Sequence, residues 1–101
     1  MSKVSVIAKL SAQPGKRDAL AAGLQSLIDH VESEPGTLMY VLHDDLKDEN
    51  VLWFYEMYTD QAALDAHSTS DTMKALGGQV GGFLAALPEM FVIAPRGGKG
   101  L

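Results

Sequence analysis

Along the first ten residues, Val4, Val6, Ala8 and Leu10 alternate with Lys3, Ser5, Ile7 and Lys9. This period of two predicts a half-buried strand. Gln13-Pro14-Gly15 turns the chain, and from Lys16 to Glu34 the period lengthens. Leu20, Leu24, Leu27, Ile28 and Val31 there share one helical stripe, leaving Lys16, Arg17, Asp18, Asp29 and Glu32 for solvent. Pro35-Gly36 stops this helix, because proline brings no N–H and glycine accepts the backbone angles of a helix end. Strand periodicity returns over Thr37 to His43 and Val51 to Tyr58, and the polar run Asp44 to Asn50 between them predicts a hairpin with a longish loop.

A helix capped by Thr59 or Asp60 then runs through His67, and Ser70 caps a third whose stripe is Met73, Leu76, Val80, Phe83, Leu84 and Leu87. Gly77-Gly78 and Gly81-Gly82 interrupt that stripe. Each glycine costs a helix interior about 1 kcal/mol relative to alanine, so the pairs mark either a weak, bent helix or a face that something approaches closely. Pro88 ends the helical stretch, and Met90 to Ala94 form a last strand before a flexible tail at 96–101. The order β, α, β, β, α(α), β describes one domain over residues 1–95. Its class is α+β, with a ferredoxin-like split βαβ arrangement: a four-stranded antiparallel sheet with helices on one face.

A sheet with helices on one side ordinarily shows polar residues on the other. Here the third strand carries Leu52, Phe54, Glu56 and Tyr58 on one face and Val51, Trp53, Tyr55 and Met57 on the other. The second carries Leu38, Tyr40 and Leu42 opposite Thr37, Met39, Val41 and His43. A patch of Trp53, Tyr55, Met57, Met39 and Val41 is large for a monomer's surface and predicts a homodimer joined through that sheet face.

Composition narrows the function. Thirteen acidic against eight basic residues leave little to neutralise a phosphate backbone, so nucleic acid is not an expected partner. With no cysteine, disulfides, thiolate nucleophiles and cysteine-based zinc sites are excluded. No stretch reaches the roughly 20 apolar residues of a membrane span, and the N-terminus lacks a signal-peptide pattern. A cytoplasmic location without membrane contact is expected.

The run from Glu34 to Leu76, with Glu34-Pro35-Gly36, Tyr40, Leu42-His43, Asn50, Phe54-Tyr55-Glu56, Asp60, Ala63-Leu64, Ala66-His67 and Ser70, closely resembles the antibiotic biosynthesis monooxygenase (ABM) domain, including small bacterial quinol monooxygenases. Pro14-Gly15-Lys16 fits the same pattern. The resemblance implies a dimeric α+β barrel, a pocket between helices and sheet, and oxygenation of electron-rich phenols or quinols without flavin, haem or metal. It departs from the family pattern at Thr72, where relatives often carry histidine, and at Met39, where a basic residue is common.

His67 shares a helix face with Ala63 and Leu64, so its imidazole can look toward the sheet. There it serves either as a base near neutral pH or as a ring bonded to a nearby carbonyl. Glu56, on the face assigned to the helices, is either a proton-transfer group with a pKa raised by burial or a paired structural carboxylate. The expected catalytic pair is His67 as base with Glu56 as its partner or relay. Tyr40, Phe54 and Tyr58 are expected to line the substrate pocket or simply to fill the core. No carboxylates and histidines have metal-ligand spacing, so neither metal nor cofactor is expected. A non-catalytic dimeric binding module, or a related isomerase, is the alternative function for the same pocket.

Overall fold

A computed structural model describes residues 2–101. Its elements are β1 (Val4–Ser11), α1 (Arg17–Val31), β2 (Thr37–Asp44), β3 (Val51–Tyr58), α2 (Gln61–Ser68), α3 (Asp71–Val80) and β4 (Glu89–Ile93), with a 3-10 turn at Gly81–Phe83. The antiparallel sheet has the order β2-β3-β1-β4. This is the expected ferredoxin-like α+β fold. Alternation on β1 sends Ala8 and Leu10 beneath the helices, where Leu20 and Leu24 of α1 and Phe54 and Leu52 of β3 complete the main core, and Val6 into a second cluster with Tyr58 and Leu64. No helix among the described residues is long and apolar enough to cross a membrane.

Local chemistry sets the ends of the elements. Gly15 takes a φ of 76°, a conformation that other residues adopt only under strain, and its N–H donates to the Asn50 side chain 3.0 Å away. Asp60 caps α2 through the N–H of Ala63 at 2.8 Å, and Ser70 caps α3 through the N–H of Met73 at 3.2 Å. In the hairpin loop, the N–H of Asp48, the Trp53 indole and the N–H of Lys47 all donate to Asp45 and hold its carboxyl down at about 2. Trp53 is thereby fastened to the loop, as well as lying on the outer sheet face.

Four expectations are corrected. First, α1 ends at Val31 rather than running to Glu34, because three successive turns, Glu32 N–H to Asp29, Ser33 to His30 and Glu34 to Val31, replace its last α-type bonds. Second, the strand pairing shifts between Thr37 and Met39. This bulge puts Thr37 opposite Tyr58, on the helix side, and leaves Leu38 48% exposed, so the helices do not cover it. Third, α3 stops at Val80. Leu84 is extended and bridges Ala12, and Leu87 is exposed, so Phe83, Leu84 and Leu87 do not continue the helical stripe. Fourth, Met57 is already buried, and the apolar outer patch is extended instead by Phe91 and Ile93 of β4, which the pairing aligns with Ile7 and Ser5.

Candidate active site

Two features of the backbone deliver the site. The β2–β3 register sets Tyr40 opposite Glu56 and Leu42 opposite Phe54, so these side chains share the helix-covered face. The Tyr40 and Phe54 rings are 4.4 Å apart between centroids. Gly36 brings the start of β2 against α2: a Cβ built on Gly36 would stand 2.5 Å from that of Ala63, and its carbonyl accepts from Thr59 N–H at 2.9 Å. Only a residue without a side chain permits this approach, and it holds the end of the α1 turn beside His67.

His67 is buried, with its ring 5.1 Å from that of Tyr40 and 5.4 Å from that of Tyr58. Its Nδ1 lies 2.9 Å from Oε1 of Glu34, which also accepts from the Thr37 hydroxyl at 2.7 Å. A carboxylate only accepts, so Nδ1 carries a proton, and in the neutral ring the lone pair is on Nε2. On the other carboxylate oxygen, Oε2, His30 Nε2 lies 3.4 Å away. His30, for which the sequence offers no partner, thus belongs to the same cluster.

Glu56 is also buried and accepts from the Tyr58 hydroxyl at 2.5 Å. Burial raises its pKa, opposed by the Tyr58 hydrogen bond and by His67, while nearby Glu34 adds to the rise. Burial likewise raises Tyr40, with Glu56 and Glu34 adding to it. Tyr58 is raised by burial and then by its bond to Glu56. Both phenols therefore stay protonated at neutral pH.

Glu56 and His67 lie on the same side of the sheet, on the wall of a cavity of about 110 Å³ shared with Tyr40, Phe54, Leu27 and Ser68. They do not bond to each other. Each has its own partner, Tyr58 for Glu56 and Glu34 for His67. Tyr58 is fully buried, is not among the residues lining that cavity, and has its hydroxyl on Glu56. On its far side His67 also borders an open groove of about 520 Å³ with His30, Glu34 and Thr37. Among the described residues no group of three or more histidines and carboxylates is arranged to hold a metal ion.

Glu34 is the functional candidate that residue patterns missed. The helical stripe that ends there assigns it no role, yet it begins the Glu34-Pro35-Gly36 run that supports the family resemblance. Met39, one of the two departures, pairs with Met57 on the outer face and so stands away from the cavity.

The sequence profile of the family described as antibiotic biosynthesis monooxygenase (ABM) matches residues 3–78. The chain belongs to the ABM family. Among solved ABM-like folds, Rv0793 from Mycobacterium tuberculosis is 33% identical with a TM-score of 0.87, covering 97% of this chain and 99% of that one. A candidate antibiotic biosynthesis monooxygenase from Caulobacter crescentus CB15 is 29% identical with a TM-score of 0.89, covering 95% and 92% respectively. The Synechocystis protein sll1783 is 31% identical over 64 residues, 63% of this chain. The match spans only 44% of that relative's length. The ABM match includes every residue of the Glu34, Glu56 and His67 cluster.

Proposed function

We propose that this ABM protein is a cofactor-independent monooxygenase that oxidises a small phenol or quinol with O2. The observation that carries the reading is His67, anchored through Nδ1 by Glu34 and bordering a cavity lined by Tyr40, Phe54 and Glu56. Nε2 of His67 takes the proton of a substrate hydroxyl. The resulting phenolate is electron-rich enough to pass one electron to O2, and the radical pair combines to a ring hydroperoxide. Loss of water then leaves the quinone, so that a phenol and O2 yield a quinone and water, one oxygen atom in each. Tyr40, held as a phenol, donates to the developing carbonyl, and Glu56, with its raised pKa, relays the proton that leaves with water. The apolar wall keeps bulk water from the intermediate.

Two chains are proposed to associate through the outer sheet face. Its support is the run of exposed apolar side chains there, Met39 at 38%, Val41 at 43%, Phe91 at 52% and Ile93 at 48%, flanking half-buried Trp53 and Tyr55.

The test of the chemistry is isotopic. A phenol turned over under 18O2 should give quinone carrying one labelled oxygen, with consumption of one O2 per product. Turnover under nitrogen, or product without label, would contradict it.

A further inference from the structure

The cavity at Glu56 and His67 is about 110 Å³, less than the roughly 150 Å³ that admits a benzene molecule in an engineered protein cavity. An aromatic ring with its hydroxyl at His67 therefore projects beyond it. Next to it lies a larger vestibule of about 550 Å³, between α1, α3 and the 84–88 segment. The two share Leu10, Leu24, Met73, Leu76 and Pro88 as common wall. None of the polar residues of the inner cavity, Tyr40, Glu56, His67 and Ser68, lines the vestibule. Its own lining is apolar throughout, with Leu84, Ala85 and Leu87 facing Gly77, Val80 and Gly81. Met73 and Leu76, on the shared wall, are half-buried, and an unbranched methionine adapts readily to a ligand.

The glycines bear on this directly. A Cβ built on Gly77 or Gly81 would meet no atom within 4 Å. Their lack of side chain is therefore not required for packing, and both line the vestibule.

We infer that the substrate is an uncharged phenol or quinol carrying an apolar extension, its hydroxylated ring entering at Glu56 and His67 and its extension lying in the vestibule between α3 and the 84–88 segment. This rests on the phenol or quinol reading above. Ala85, Gly77 and Gly81 then set the size of extension accepted, as small residues on a wall where larger ones would fit.

Calorimetric titration under nitrogen, with hydroquinone and a series of 2-alkyl hydroquinones, tests this apart from the oxidation. Affinity should tighten about fourfold per added methylene over the first few, the gain expected from burying each one. A chain ending in a carboxylate should lose that gain. Ala85→Phe and Gly81→Leu should each flatten the dependence on chain length, whereas Gln79→Phe, the same bulk at an exposed α3 position outside both cavities, should keep it. Affinity independent of chain length, an unchanged dependence in both blocking variants, or no binding of any alkyl hydroquinone overturns the inference. Binding with the chain-length gain but without oxygen uptake in air would leave the vestibule standing and overturn the monooxygenase reading. Oxygen uptake with no chain-length preference would do the reverse.

Discussion

Nδ1 of His67 is bonded to Oε1 of Glu34 at 2.9 Å, across 33 residues of sequence. This bond ties the end of the α1 turn to α2 and selects the tautomer of the ring. Glu34 is mostly buried, its side chain 16% exposed, and Thr37 shares the same oxygen.

Glu34→Ala strips His67 and Thr37 of their acceptor at once. Urea unfolding should show a loss of about 2 kcal/mol, in the range for hydrogen bonds to charged groups. In a double-mutant cycle with His67→Ala, the two losses should be coupled by at least about 0.5 kcal/mol. Additive losses would mean that the bond contributes nothing to stability.

Glu56 makes stability depend on pH. Burial raises its pKa, so the folded chain holds this proton more tightly than the unfolded chain. That stabilisation is complete below the ordinary glutamate value of about 4.3 and is lost as pH rises through the folded value. Glu56→Gln has no such proton to lose and still accepts from Tyr58. Its melting temperature relative to the parent should climb with pH across that interval; parallel curves would contradict the assignment.

Two glycines should respond oppositely to the same change. Gly36→Ala pushes a methyl group into Ala63, and overpacking of this kind costs about 1–3 kcal/mol. Gly77→Ala lies within α3 with open space around it, so it should stabilise by about 0.5–1 kcal/mol through helix propensity. Thermal unfolding of both variants decides this, and a matching sign would contradict it.

These sites show what the sequence could convey. Alternation on β1 and β3 and the capping residues Asp60 and Ser70 were local signals, so the element order, the sheet and the helix-facing placement of Glu56 and His67 were legible. The Glu34–His67 bond was not, because it depends on how three turns after Val31 re-aim the chain, and residue periodicity ends there. The bulge at Leu38 was equally hidden. A strand of Leu, Met, Tyr, Val and Leu reads as apolar in either register, so nothing in its composition marks which residue is squeezed out. The glycines after Leu76 were visible as an anomaly, but nothing in their pattern told that Gly77 and Gly81 line the vestibule while Gly78 and Gly82 do not.

The outer sheet face should hold two chains together. Sedimentation equilibrium is expected to give twice the mass of one chain, and a charge at the centre of the patch, Tyr55→Glu, should yield monomers while the helix-side site stays folded. A monomeric parent protein would contradict the pairing.

The most direct test of the central claim is oxygen uptake with a hydroquinone by the parent protein and by His67→Gln, both checked for intact folding by circular dichroism. The loss of a general base predicts a fall in kcat of about 10²–10⁴-fold, with the hydroquinone still binding under nitrogen. Undiminished oxygen uptake in a folded His67→Gln protein would contradict the account.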